Sequence, residues 1–228
     1  VSIIIPTYNE EVTIVEILTA VQAQKIDRVT FEVIVIDDGS KDRTVEILES
    51  RPELYNKLIK QSVNGGKGAA VKAGLSEATG DYILFQDADL EYDPADYSRI
   101  LEPALRFNAD VVMGSRLVAS PITRVSYFWH KIGNHLITFI FNLFNNTTFT
   151  DVYSCYLMYK RELVNGAMLE TEGWEQHAEI LSKAVARGKD FYEVPISYYG
   201  RTYDEGKKIR SHHAVMVIWT IIRMRLFR

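Results

Sequence analysis

Hydrophobic and polar positions along this chain fall into a repeating order. Residues 2–6 form a short, uninterrupted apolar run rich in β-branched side chains, the pattern of a strand buried on both faces. Over residues 11–24, Val12, Val15, Leu18 and Val21 recur at helical spacing. That segment reads as a helix with those four inward, Asn9 as its cap and acids in its first turn. Residues 31–36 repeat the strand pattern, 42–50 read as a helix and 58–61 as a third strand. A glycine-rich turn, Asn64-Gly65-Gly66-Lys67-Gly68, opens a helix over 69–78, and residues 82–85 form a fourth strand. Residues 94–107 are helical in pattern and 110–114 make a fifth strand.

Strand, helix and strand thus alternate four times, which predicts an α/β fold with a mostly parallel, Rossmann-like sheet and helices on both faces. In such sheets ligands bind at the carboxyl ends of the strands. Three polar clusters fall there: 6–10, 37–40 and 87–91. The pattern then changes near residues 115–125. An apolar segment follows at 126–144, then a strand-like run at 153–159, a helix at 175–187, an extended stretch at 190–199, a basic loop at 201–210 and a final apolar helix over 214–227.

The 228 residues suit one large domain or one domain with an appendage. A net charge of −4 gives no basic footprint for a nucleic-acid partner. The single cysteine, Cys155, excludes an internal disulfide, and no Cys/His cluster has zinc spacing, His212-His213 reading as a surface pair. The first residues enter a strand without the pattern of a signal peptide. No stretch reaches the roughly 18–20 uninterrupted apolar residues of a membrane span. The segments 127–144 and 214–227 come partway; each reads as a core or interface helix, or as one lying in a membrane surface with Trp219 and the basic end Arg223, Arg225 and Arg228 at headgroup level.

The most informative chemistry is Gln86-Asp87-Ala88-Asp89-Leu90-Glu91 at the end of the fourth strand. In extended backbone alternate side chains share a face, so Asp87 and Asp89 point the same way and repel unless a cation sits between them. Carboxylate-only ligands favour a hard divalent ion such as Mg²⁺ or Mn²⁺, with phosphate oxygens completing its shell.

These motifs together resemble the family 2 glycosyltransferases, which have the glycosyltransferase-A fold. The carriers are Ile5-Pro6-Thr7-Tyr8-Asn9-Glu10, Val35-Ile36-Asp37-Asp38-Gly39-Ser40, Gly66-Lys67-Gly68 and Gln86-Asp87-Ala88-Asp89-Leu90. Val112-Met113-Gly114-Ser115-Arg116, Glu193-Val194-Pro195-Ile196, Arg201 and Gly206-Lys207-Lys208 narrow the resemblance to the dolichol-phosphate mannose synthase branch and its polyprenyl-phosphate hexose synthase relatives. The resemblance implies a nucleotide-sugar-binding half over 1–120 and an acceptor half over 121–228, ending in an amphipathic helix, within one catalytic domain. It places the nucleotide against Pro6, Tyr8, Glu10, Asp38, Lys67 and Asp87. It gives the metal, Mg²⁺ or Mn²⁺, to Asp87 and Asp89, with Glu91 where relatives often have Gln. A lipid-phosphate acceptor is already an anion and needs cations rather than a base; Arg116, Arg124, Arg201 and Lys208 match basic positions of the branch. Catalysis is expected from Asp89, Arg116 and Arg201. Asp151 would be the base if the acceptor were a hydroxyl, and otherwise a turn or helix cap.

The implied reaction is inverting transfer of mannose or glucose from GDP-mannose or UDP-glucose to a polyprenyl phosphate, at the cytoplasmic face of a membrane and by a peripheral enzyme. The alternatives are a same-fold enzyme acting on a sugar hydroxyl, a phosphoacceptor domain, or a silent scaffold.

Overall fold

The computed structural model of the chain describes residues 1–118, 128–200 and 213–226. Arg124, Arg201 and Lys208 lie outside the described residues. Among the described residues seven strands form one sheet: β1 Ser2–Thr7, β2 Glu32–Asp37, β3 Lys57–Lys60, β4 Tyr82–Phe85, β5 Val111–Ser115, β6 Leu157–Lys160 and β7 Phe191–Pro195, in the order β3-β2-β1-β4-β6-β5-β7. The fold expectation holds: β1 to β4 are parallel, as are β5 and β7. The exception is β6, which inserts antiparallel between β4 and β5. It is also shorter than the expected 153–159, because the residues before it leave the sheet to build the site.

The helices are α1 Ile14–Ala23, α2 Thr44–Glu49, α3 Lys67–Glu77, α4 Tyr97–Phe107, α5 Phe128–Asn145, α6 Gln176–Arg187 and α7 His213–Leu226. Helix α3 packs on β1 and β2, and α4 on β5 and β7, while α7 packs on α5 and α6. The strand interiors explain the apolar runs: Ile3, Ile4, Ile5, Ile34, Val35, Ile36, Ile83 and Leu84 are fully buried. Each such side chain contributes about 1.5–3 kcal/mol of transfer free energy.

Two local expectations fail, for one reason. Val12 is 85% exposed, and the inward stripe of α1 is Ile14, Ile17, Leu18 and Val21. The Glu10 carbonyl accepts from the amides of both Thr13 and Ile14, so residues 11–13 are a turn ahead of the helix. Asn9, in the left-handed region at φ 52°, does not cap it. Its Oδ1 accepts from the Lys41 amide at 2.8 Å, and its own amide donates to Ser40 Oγ at 2.9 Å. Asn9 therefore clamps the loop after β2 to the loop after β1.

Parallel β1, β2, β3, β4, β5 and β7 all end at one edge of the sheet, and antiparallel β6 begins there. That single fact brings the loops after Thr7, Asp37, Lys60, Phe85, Ser115 and Pro195 together with the residues just before Leu157.

Candidate active site

The loop after β2 and the glycine turn before α3 are joined by one carboxylate. Asp38 accepts from the Gly65 amide (2.8 Å) and the Gly66 amide (2.9 Å). Burial pushes its pKa up against those two bonds. Gly66 holds φ +91°, a conformation L side chains rarely adopt. Gly68 lies so close to the Glu172 backbone that a Cβ would stand 2.3 Å from its carbonyl carbon. The turn therefore requires glycine at both positions, and it aims Lys67, between them, across the edge of the sheet. On the β1 side Pro6 pairs with Ile36 in register and Tyr8 is half-buried. Glu10 is nearly buried, and its Oε2 accepts from Thr13 Oγ1 at 2.9 Å.

Lys67 Nζ stands 2.5 Å from Asp87 Oδ1 and 5.5 Å from the centre of the Trp174 ring. Burial works to raise the Asp87 pKa, but the Lys67 ammonium and the Cys155 thiol, which donates to the carboxylate, hold it below the usual range. The backbone leading to Asp87 is fixed by Gln86, which is fully buried. Its Oε1 accepts from the hydroxyls of Tyr97 (2.8 Å) and Tyr156 (2.7 Å), and its Nε2 donates to the carbonyls of Asp87 and Tyr92. Beyond it, Asp89 Oδ1 accepts from the Glu91 amide at 3.1 Å, with Leu90 at φ 63° tightening the turn. Glu91 Oε2 accepts from the Tyr198 hydroxyl at 2.9 Å.

The second cluster centres on Arg116, directly after β5. Its Nε meets Asp151 Oδ2 at 2.7 Å, its Nη2 meets Oδ1 at 2.9 Å, and its amide also donates to Oδ2. Asn134 of α5 donates to Asp151 Oδ1 at 2.8 Å. The Asp151 side chain has no exposed surface. Burial opposes its charge, yet Arg116 and Asn134 keep its pKa below the usual carboxylate range. Glu193 of β7 accepts from the amides of Thr150 and Asp151 and from Thr150 Oγ1, which sets the turn carrying Asp151. Among the described residues, Arg116 also donates from Nη2 to the Tyr153 carbonyl and from Nη1 to the Tyr92 hydroxyl. Its guanidinium carbon lies 5.0 Å from the centre of the Tyr198 ring.

The two ion pairs are neighbours, linked by residues that sequence reasoning did not select. Cys155 bonds Asp87 through its thiol and donates its amide to the Tyr92 hydroxyl, which also accepts from Arg116. Tyr198 touches both Glu91 and Arg116. His177 of α6 feels the charges of Lys67, Asp87, Asp151 and Arg116. Its Nε2 is buried without a hydrogen-bond partner among the described residues, and burial lowers its pKa to about 4. Tyrosines within an apolar pattern read as core, so only the spacing of Tyr92 one residue past the acidic run could have marked it.

The donor set fits a hard divalent cation. The structure already places a cation, the Lys67 ammonium, against Asp87, and Asp89 follows on the same turn. Among the described residues no three His, Cys, Asp or Glu side chains form a ready metal cage. Two carboxylates with a diphosphate to complete the shell meet that limit, because Mg²⁺-type ions are commonly held by one or two carboxylates plus phosphate.

Residues 2–166 match the family described as Glycosyl transferase family 2. A dolichol-phosphate mannosyltransferase from Pyrococcus furiosus is 30% identical over 91% of this chain and 58% of its own length. An undecaprenyl-phosphate 4-deoxy-4-formamido-L-arabinose transferase from Pseudomonas aeruginosa is 29% identical over 91% of this chain and 60% of its own. The chain thus spans less than two thirds of these relatives. Among solved structures, glucosyl-3-phosphoglycerate synthase from Mycobacterium tuberculosis, in complex with Mn²⁺, UDP and phosphoglyceric acid, superposes with a TM-score of 0.73. The two share 19% identity over 99% of this chain and 78% of that one, so the likeness speaks for the glycosyltransferase-A fold.

Proposed function

The chain belongs to glycosyl transferase family 2, and from that premise we propose that it moves a hexose from a nucleoside diphosphate sugar to a polyprenyl phosphate, with inversion and with a divalent metal. The observation that carries this reading is the adjacency of two differently built charge centres at one sheet edge, Lys67–Asp87–Asp89 and Arg116–Asp151. The relatives named for dolichol and undecaprenyl phosphate acceptors support the choice of acceptor.

On the donor side, Pro6, Tyr8, Glu10 and Asp38 are the residues proposed to lie against the nucleotide. Tyr8 offers an aromatic face, and the carboxylates accept from base N–H or ribose hydroxyls. Asp87 and Asp89, with Glu91 beside them, would hold Mg²⁺ or Mn²⁺, which when bound stabilises charge on the departing nucleoside diphosphate. Lys67 then exchanges its carboxylate partner for phosphate oxygens.

On the acceptor side, the lipid phosphate attacks the anomeric carbon without losing a proton. Arg116 supplies positive charge there, and its Nη1 edge meets only the neutral Tyr92 hydroxyl among the described residues. Arg124, Arg201 and Lys208 are proposed to add to that charge. Asp151 serves as the anchor of Arg116. A carboxylate bonded by Arg116 and Asn134 and held below its usual pKa is a weak base, which favours a phosphate acceptor over a hydroxyl. The reaction would then take place at a membrane surface, the cytoplasmic face in our reading, with the protein peripheral to it. No described helix is long and apolar enough to cross a membrane.

The test is Mn²⁺-dependent transfer of radiolabel from GDP-mannose and from UDP-glucose, each alone, into extractable lipid with polyprenyl phosphate supplied. Label entering the lipid phase from one donor, and lost on chelation, is the expected result. Metal-dependent donor hydrolysis with no lipid label would move the acceptor to a hydroxyl.

A further inference from the structure

We infer that the Tyr92 hydroxyl is a second acceptor contact beside Arg116, donating its proton to an oxygen of the acceptor phosphate. The inference deepens the lipid-phosphate reading above and rests on it.

Arg116 is almost fully committed. Its Nε and both hydrogens of Nη2 go to Asp151 and the Tyr153 carbonyl, and one hydrogen of Nη1 goes to the Tyr92 hydroxyl at 3.2 Å. The other hydrogen of Nη1 has no partner among the described residues. Tyr92 also has one donor unspent. Its oxygen accepts twice, from Nη1 and from the Cys155 amide at 3.1 Å, while its proton goes to no acceptor among the described residues. Its neighbours differ: the hydroxyls of Tyr97 and Tyr156 donate to Gln86 Oε1, and that of Tyr198 donates to Glu91. A buried donor without an acceptor is costly and uncommon, and Tyr92 is only 4% exposed.

The hydroxyl is held in place. The Tyr92 ring packs against those of Tyr156 and Tyr198, with centres 5.0 Å and 5.1 Å away, and its carbonyl accepts from Gln86 Nε2. Two N–H groups arriving at the oxygen restrict where its proton can point. Two unspent donors, one charged and one neutral, therefore start from atoms 3.2 Å apart. Asp151 keeps no exposed side-chain surface and Arg116 keeps 19%. A ligand thus meets the guanidinium from the side away from Asp151, where Nη1 and the phenol stand.

Such a pair suits a phosphate monoester. Its anionic oxygens accept strongly from an arginine N–H and from a hydroxyl, and holding two of them leaves a third free to attack the anomeric carbon. A sugar hydroxyl has a single oxygen, which the same donors would hold back from attack. Asp151, committed to Arg116, would not relieve it of its proton. No proton moves in this step: the phenol, neutral at physiological pH, keeps its own. The donor diphosphate carries similar oxygens, but Lys67, Asp87 and Asp89 are its partners in our reading, and Tyr92 stands against Arg116 instead.

Calorimetric titration of the full chain with farnesyl phosphate, without donor or metal, tests the assignment. Tyr92→Phe should bind it about tenfold more weakly, with binding of GDP and UDP in the presence of Mn²⁺ unchanged. Phenylalanine also strips Arg116 and the Cys155 amide of an acceptor, so a second chain carries 3-fluorotyrosine in place of Tyr92 alone. Fluorine makes the phenol a stronger donor and its oxygen a weaker acceptor. At a pH that leaves the phenol protonated, this chain should bind farnesyl phosphate severalfold more tightly than the parent. Weaker or unchanged binding there would overturn the assignment, because the hydroxyl would then serve only Arg116 and Cys155. A loss in Tyr92→Phe confined to the nucleotides would also overturn it, giving the proton to the donor diphosphate. If the folded parent does not bind farnesyl phosphate, the lipid-phosphate reading fails and takes Tyr92 with it. If the parent binds and both altered chains match it, the assignment of Tyr92 fails alone.

Discussion

Two ion pairs stand side by side at the sheet edge and are built to opposite ends. Arg116 and Asp151 meet through two parallel contacts and a backbone amide, and Asn134 and Glu193 fix the carboxylate and its turn. Lys67 and Asp87 meet through a single ammonium–oxygen contact, and their side chains keep 30% and 20% of their surface. Arginine's planar fork locks a geometry, whereas the lysine ammonium is a compact charge on a flexible stem. The first pair is a fixture of the fold. The second is a contact that another cation or a phosphate can replace, which suits the metal and diphosphate proposed for this site.

The contrast would break most visibly at Arg116. Replacing it by alanine leaves the Asp151 carboxylate buried without its counter-ion, and a loss of about 3–5 kcal/mol in unfolding free energy is expected, read by urea denaturation. Arg116→Met with Asp151→Leu should recover much of that loss, because a packed apolar pair avoids the unpaired charge. If the single and double variants unfold alike, the pair is not what holds this corner.

Asp89→Asn should act in the opposite manner. The side chain serves the proposed metal, so turnover should drop on the order of 10²–10³-fold with the urea midpoint nearly unchanged. A shifted midpoint with normal turnover would reverse the roles assigned to the two pairs.

A pH titration separates the pairs from what lies between them. Burial lowers the His177 pKa from 6.5 to about 4. Below pH 6.5 the unfolded chain takes up a proton that the folded chain refuses, so stability is full above that pH and declines as pH falls towards 4. The expected loss is on the order of 1–3 kcal/mol across the window, and His177→Gln should remove it. Asp151, whose pKa is lowered, contributes in a lower window. Its share is present above the ordinary carboxylate pKa and is lost only as pH falls through the depressed value. Unfolding midpoints measured from pH 7 to 4 in both chains would show whether the histidine limb exists.

The two centres were unequally legible in the sequence. Asp87 and Asp89 declare themselves because strand geometry puts alternate residues on one face. The glycine turn marks where α3 opens, and Lys67 within it entered the reading through the family resemblance. Arg116 and Asp151 lie far apart in the chain, and only the antiparallel insertion of β6 beside β5 delivers Asp151 to Arg116. No local periodicity encodes that insertion, so the pair entered the reading through family resemblance and as separate residues. Tyr92, Cys155 and Tyr198 were less legible still, since side chains that are mostly apolar and partly polar look like core until their hydroxyls and thiol acquire partners. Asn9 misled for a related reason: an Asn ahead of a helix caps it by default, and here a second loop competes for the same side chain and wins.

The smallest expected effect falls on Lys67, and it bears most directly on exchangeability. Lys67→Met keeps the stem and removes the charge, so Asp87 loses one ion pair but remains near Cys155 and solvent. Because the side chains keep only 30% and 20% of their surface, the cost should fall between that of an exposed pair and that of a buried one, about 1–2 kcal/mol. Metal binding should move in opposite directions depending on what accompanies it. Without nucleotide, the variant should bind Mn²⁺ more tightly, severalfold by calorimetry or paramagnetic resonance, because no resident ammonium competes for Asp87. With the diphosphate present, the variant should bind nucleotide more weakly, about tenfold, because the charge that would have moved onto the phosphates is gone. Tighter metal binding with weaker nucleotide binding is the signature of a lysine that changes partners. Weaker binding of both would mean that Lys67 keeps its carboxylate partner, as Arg116 keeps Asp151, and the difference between the two pairs would be one of exposure alone.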